Sequence, residues 1–154
     1  MKPIDILKKL SLEDKKRNNP RFPSEYLPVT KYSDTTANGL TKCIKDFLNL
    51  SGHQAERITN MGVFMKGRTK DHGHLSHEVH EGRYRKGTGT NGSADLSATI
   101  RGRSVKIEIK INDAQSPAQK EYQVAIEKAG GVYKIFRNFN DFHQWYEDYI
   151  NQLN

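Results

Sequence analysis

Cysteine is almost absent from this sequence, and long apolar runs are wholly absent. The single cysteine, Cys43, excludes a disulfide within the chain and suits a reducing compartment, so the cytoplasm is the expected location. No stretch has the length and apolarity of a membrane span, and Met1 to Leu10 lacks the continuous apolar core of a signal peptide, so neither is expected. Hydrophobic residues are only 34% of the 154, with mean hydropathy −0.84, which fits one domain with a modest core and a very polar surface. Acidic residues are in the minority. The 18 Asp and Glu face 25 Lys and Arg, for a formal charge of +7, and a basic domain of this kind points to a polyanionic partner, nucleic acid foremost. There is no internal repeat.

Two alternating segments organise the chain, from Ser93 to Ile111. Ala94, Leu96, Ala98 and Ile100 alternate with Ser93, Asp95, Ser97 and Thr99, and Val105, Ile107, Ile109 and Ile111 alternate with Lys106, Glu108 and Lys110. Such alternation predicts half-buried strands, with Arg101-Gly102-Arg103 supplying the hairpin turn. If Arg101-Gly102 is the loop, paired residue numbers sum to 203 and Asp95 faces Glu108; if Gly102-Arg103 is the loop, they sum to 205 and Asp95 faces Lys110. Both registers put Asp95, Glu108 and Lys110 on one face and the aliphatics on the other. Two carboxylates facing each other repel unless something positive lies between them. A divalent cation of the Mg²⁺ type suits such a pair, because it is commonly held by one or two carboxylates with phosphate and water.

The rest of the chain frames this hairpin. Residues 1–32 read as a basic arm or linker. Ile4, Leu7 and Leu10 have helical spacing, Pro20, Pro23 and Pro28 favour extended chain, and eight Lys/Arg against four Asp/Glu contribute +4 of the net charge. From Asp34 to Ser51, Leu40, Cys43, Ile44, Phe47 and Leu48 predict a helix, with Ser33, Asp34 or Thr35 as its cap. Cys43 then lies on the core face as a small buried hydrophobe. His53–Thr59 and Val63–Lys66 read as a strand pair turning at Asn60-Met61-Gly62. Ser116-Pro117-Ala118-Gln119 has the form of a capping box, with Tyr122, Ala125, Ile126 and Ala129 as the stripe to be buried. Val132–Phe136 reads as a strand. Asp141–Leu153 reads as a helix whose Phe142, Trp145, Tyr146, Tyr149, Ile150 and Leu153 belong to the core.

Residues 67–92 read as an irregular loop with four of the six histidines, His72, His74, His77 and His80. Zinc is disfavoured there, because no cysteine is close and His77-Glu78-Val79-His80 is one residue short of the zincin spacing. The basic residues Arg83, Arg85 and Lys86 precede a run from Gly87 to Gly92 that leads into the Asp95 strand. That run is neither a Walker loop nor a dinucleotide fingerprint. The expected class is mixed α/β (α+β). A mixed central sheet is flanked by helices, in the order helix, three or four strands, helix, strand, helix.

The order of an Asp95 strand, a short Gly turn, Glu108-Ile109-Lys110 and a helix opening Ser116-x-x-Gln119 resembles the PD-(D/E)XK nuclease superfamily over residues 34–150. The closer likeness is to its VRR-NUC branch, which includes small stand-alone phage and bacterial proteins and is related to Holliday-junction resolvases. The resemblance implies a restriction-endonuclease-like core within a domain spanning 33–154. It implies a metal-dependent endonuclease acting on DNA, branched DNA included, with a homodimer as in resolvases. Asp95, Glu108 and the Ile109 carbonyl would bind Mg²⁺ or Mn²⁺, Lys110 would orient the attacking water, and Gln119 would support the water or a phosphate. Arg83, Arg85, Lys86, Arg101 and Arg103 would hold the nucleic-acid backbone. The family usually adds an acid near the start of its first helix. Here Asp34 precedes that position and Asn38 is not acidic, so a second metal site is not carried over. The alternative is a nuclease fold that holds DNA or RNA without cutting.

Overall fold

The computed structural model describes residues 1–59, 63–65, 83–85 and 89–153; for 63, 65 and 83–85 it describes the backbone alone. Among the described residues lie four α-helices, α1 (Pro3–Asn18), α2 (Ala37–Leu50), α3 (Pro117–Lys128) and α4 (Phe139–Gln152). They frame six strands, β1 (Gln54–Arg57), β2 (Val63–Met65), β3 (Arg83–Arg85), β4 (Leu96–Ile100), β5 (Arg103–Ile109) and β6 (Val132–Phe136). The main sheet has the order β1-β4-β5-β6. Its first two pairings are antiparallel and the β5–β6 pairing is parallel, so the sheet is mixed. A parallel step needs a crossover, and α3 provides it. The class is therefore mixed α and β.

The hairpin takes the first of the two expected registers. Leu96 pairs with Ile107 and Ile100 with Arg103, so the partners sum to 203 and Arg101-Gly102 is the loop. Arg101 has φ 49° and Gly102 φ 77°, the two left-handed residues of a type I′ turn. Leu96, Ala98, Ile100, Val105 and Ile107 are buried in the core with Leu40, Ile44 and Leu48 of α2. On the opposite face Lys106 donates to Ser97.

Helix α2 starts later than expected. Thr36 caps it, its hydroxyl accepting from the Gly39 amide at 3.1 Å, in place of Ser33, Asp34 or Thr35. Asp34 serves a different helix: its carboxylate accepts from the Phe139 amide at 2.9 Å, at the start of α4. Phe47 meets Phe139, Phe142 and Tyr146 edge-on at 5.1–5.9 Å, so these α4 aromatics are core, as the spacing predicts for Phe142 and Tyr146, while Phe139 belongs to a turn of helix earlier than expected. Cys43 is buried, and desolvation pushes its thiol up to about 11, which suits packing rather than nucleophilic chemistry.

Three expectations are corrected. Residues 3–18 are not a free arm: α1 packs on α2 and α4 and buries Leu7 completely, because its aliphatic stripe completes the core that α2 leaves open. The chain after it also folds back, with Ser11 and Thr30 hydroxyls 2.9 Å apart and Leu27 buried. β1 and β2 do not pair with each other. β1 adds to β4, where Ala55 meets the buried Ala98, while β2 pairs with β3, a strand inside the segment expected to be irregular. Finally, α3 buries none of its residues; Ala125 and Ala129 are exposed, and Tyr122 and Ile126 only half-buried. It covers the polar face of the sheet, where Tyr122 packs against Tyr133 of β6, so little apolar surface is available to it. Among the described residues no helix is long and apolar enough to cross a membrane.

One glycine ties the loop before Asp95 to α3. Gly92 has φ 75°, and a Cβ there would overlap the Ala118 carbonyl and lie 2.8 Å from the Gln119 amide. Gly102 also has positive φ but open space around it. Gly92→Ala should therefore cost more stability than Gly102→Ala, roughly 2–3 against roughly 1 kcal/mol, in paired denaturant titrations.

Candidate active site

Asp95 sits just before β4, opposite Glu108 in the 203 register. Two bonds hold it. Its backbone carbonyl accepts from the Ile58 amide at 2.8 Å, and its Oδ2 accepts from the Ile109 amide at 2.8 Å. The next amide, that of Lys110, points the other way and donates to the Phe136 carbonyl of β6 at 3.0 Å. A residue's N–H and C=O point to the same side of an extended strand, so the Ile109 carbonyl lies on the Asp95 side.

Glu108 is 2% exposed. Its Oε1 accepts from Gln119 Nε2 and from Lys110 Nζ, the latter at 3.2 Å. Gln119 is placed by its own cap: its Oε1 accepts from the Ser116 amide at 2.9 Å while the Ser116 hydroxyl accepts from the Gln119 amide at 3.3 Å. The capping box and the contact to Glu108 are thus made by the two ends of one amide. Lys110, 7% exposed, also donates to Asp113 Oδ2 at 2.9 Å. Arg137 fastens this loop by donating to the carbonyls of Lys110, Ile111 and Asp113 at 3.3–3.5 Å.

Burial pushes the Glu108 carboxyl above the ordinary glutamate range, the Asp95 charge adds to this, and Lys110 pulls back only in part. Burial works against the Lys110 ammonium, yet its bonds to Asp113 and Glu108 outweigh that and leave it above the ordinary lysine range. The same bond from Lys110 holds Asp113 below the usual aspartate range. Among the described residues two buried side-chain atoms, Glu108 Oε2 and the Tyr133 hydroxyl, make no hydrogen bond of good geometry. Burial, and then the Glu108 and Asp95 charges, push that phenol up to about 12. A buried carboxylate oxygen without a good hydrogen bond, beside a second carboxylate, fits the donor chemistry of a cation site. No group of three His, Cys, Asp or Glu side chains forms among the described residues. The donors on offer are all oxygen: Asp95, Glu108 and the Ile109 carbonyl. That set fits a hard cation that keeps water or phosphate in its remaining positions.

The structure therefore brings Asp95, Glu108, Ile109, Lys110 and Gln119 together. It separates Arg101 and Arg103 from them. These two lie at the hairpin tip, Arg103 level with Ile100, five residues along from Asp95 or about 17 Å at roughly 3.3 Å per residue, and Arg101 one residue further. Arg101 instead lines a different cavity of about 520 Å³ with His53 and Tyr146, whose ring nitrogen and hydroxyl are 2.9 Å apart. Any contact that Arg101 and Arg103 make to a nucleic-acid backbone would therefore fall at the hairpin tip and not beside the carboxylates. Arg83 and Arg85 belong to β3, in the two-stranded sheet, and their side chains lie outside the description, as do Lys86, His72, His74, His77 and His80. Sequence reasoning missed Asp113, Tyr133 and Arg137. Tyr133 could have been found from the alternation of β6, which puts it beside Lys106 on the Glu108 face. Comparison with known protein families, curated proteins and solved structures finds no match for this chain.

A raised carboxyl makes a signed prediction. The folded state holds the Glu108 proton to higher pH than the unfolded chain, so stability falls as pH rises from its ordinary 4.5 through the raised value. In EDTA, denaturant titrations over roughly pH 4 to 8 should show wild type losing stability relative to Glu108→Gln across that window. A stability difference between the two that stays constant with pH would contradict the assignment.

Proposed function

We propose that the chain is a metal-dependent DNA endonuclease of the PD-(D/E)XK kind, VRR-NUC branch, hydrolysing phosphodiester bonds with structure-selective or non-specific choice of site. The observation that carries this reading is the convergence of Asp95, Glu108 and Lys110 on one end of the sheet, with Glu108 Oε2 buried and unpaired. Asp95, Glu108 and the Ile109 carbonyl would hold Mg²⁺ or Mn²⁺. A bound ion of that kind lowers the pKa of a water and offsets charge on the phosphate. Lys110, released from Glu108 and kept in place by Asp113, orients the water for in-line attack. Gln119 keeps Glu108 in its rotamer through a side chain that its own helix cap has already fixed. The family resemblance further implies a 5′-phosphate and a 3′-hydroxyl as products, and a homodimer where the substrate is a junction.

A second reading has one observation in its favour. Asn38, a neutral residue, lines the cleft beside Asp95 near the start of α2, where the resemblance leads one to expect an acid. A nuclease fold that binds DNA or RNA without cutting would tolerate that loss.

Labelled linear, flapped and branched DNA incubated with Mg²⁺, Mn²⁺ or EDTA separates the two. Cleavage should require the metal, and Asp95→Ala, Glu108→Ala and Lys110→Ala should each lose on the order of a hundredfold or more. Tight binding in EDTA with no cleavage of any substrate supports the binding module; cutting by Asp95→Ala at the wild-type rate removes the site assignment. Independently of turnover, Mn²⁺ should raise the melting temperature of wild type and leave Asp95→Asn and Glu108→Gln unchanged.

A further inference from the structure

Two acids that attract a cation also repel a polyanion, so a strand approaching Asp95 needs a positive group close at hand. The obvious cations are committed elsewhere. Lys110 is buried between Glu108 and Asp113, Arg137 is tied by its Nη1 to the carbonyls of Lys110, Ile111 and Asp113 and does not line the Asp95 cleft, and Arg101 and Arg103 are at the far end of the hairpin. Asp95 opens into a cleft of about 690 Å³ whose lining includes Asn38, Arg57 and Thr59. Arg57 is the sole cation of that lining among the described residues. It ends β1 directly across from Leu96, the neighbour of Asp95. Its side chain is exposed, and its Nη2 donates to Asn38 Oδ1 at 2.8 Å.

The partner matters. An asparagine oxygen holds a guanidinium in place without cancelling its charge, whereas an aspartate would neutralise it. One bond to Asn38 leaves most of the five guanidinium N–H donors for another acceptor, and a forked donor matches a phosphate bidentately. We infer that Arg57, steadied by Asn38 at the mouth of the Asp95 cleft, is the residue that grips a phosphodiester of the bound nucleic-acid strand. Asn38 is a positioning residue in this scheme, and its neutrality, an oddity for a second metal, suits that role. Asp95 and Arg57 line the same cleft, so the contact is to the backbone next to Asp95 rather than to a distant part of the duplex. The inference rests on the reading that a nucleic-acid strand lies at Asp95, but not on its being cut.

The test is fluorescence anisotropy of a labelled oligonucleotide, single-stranded and duplex, in EDTA and in Ca²⁺, over a range of salt. Arg57→Gln should weaken binding roughly tenfold and lower the salt slope by about 0.7–0.9, the loss of one phosphate contact. Arg57→Lys should restore the slope but only part of the affinity, since the charge returns without the fork. Asn38→Ala should weaken binding a few-fold at unchanged slope, and Arg101→Gln should do less than Arg57→Gln. Wild-type affinity and slope in Arg57→Gln would overturn the assignment, and so would a wild type that binds no nucleic acid. If wild type cuts nothing with Mg²⁺ or Mn²⁺ while Arg57→Gln still loses binding, the nuclease reading falls and the phosphate contact stands. If wild type cuts and Arg57→Gln binds and cuts equally well, the phosphate contact falls alone.

Discussion

Asp95 and Glu108 stand opposite each other where the β4–β5 ladder ends, and neither is able to swing away. On a solvated hairpin two such side chains would splay into water and their repulsion would be screened. Here Asp95 is fixed by the Ile109 amide, and Glu108 is closed in by Gln119 and Lys110 with almost no exposure. The opposition is set by a turn at the far end of the hairpin. Arg101 and Gly102 both take left-handed angles, which fixes the two-residue loop and with it the pairing of every residue back to Asp95. A slip of one residue in one strand would turn the carboxylates to opposite faces. Arg101 thus has a structural part in the site although it is too remote to touch it.

The ion pair between Glu108 and Lys110 does not resolve the repulsion. Lys110 is nearer to Asp113, at 2.9 Å, than to Glu108, at 3.2 Å. Its positive charge is shared with an exposed acid that water already solvates. Glu108 is left with burial and the Asp95 charge against it, and its carboxyl is raised despite the ammonium. The ammonium is well satisfied and the carboxylate is not. A buried pair balanced in this way favours arrival of a second cation, because Glu108 gains from it while Lys110 keeps Asp113.

Much of this was legible in the sequence because it depends on period and local chemistry. Alternation placed Asp95, Glu108 and Lys110 on one face, the Ser116-x-x-Gln119 cap was readable as it stands, and aromatic spacing assigned Phe142 and Tyr146 to the core. What failed was long-range pairing. Nothing local told β1 to join β4 instead of β2, since both pairings satisfy the same short apolar pattern. The stripe on α3 misled because helical spacing reports a potential face and not what lies beneath it; beneath α3 is a polar sheet surface. Asp113, Arg137 and the Arg57–Asn38 pair were invisible because each acts through neighbours distant in sequence or through backbone carbonyls, which carry no residue signature.

The distribution of charge then separates two jobs that a net +7 conflates. Residues 1–32 carry +4 of it, half on α1, which packs on α2 and α4. Those helices lie against the apolar side of the sheet, away from the face that carries Glu108. Across that thickness, and with a Debye length of about 8 Å at physiological salt, the α1 lysines contribute only a diffuse, easily screened field toward any polyanion. Such a field cannot choose where on a strand the acids act. Position must come from short contacts inside the cleft, where donors are few and Asp95 itself is negative. If a nucleic-acid strand lies at Asp95 as proposed, a single guanidinium held by a neutral amide would meet that need, because it supplies charge and direction without filling the cleft.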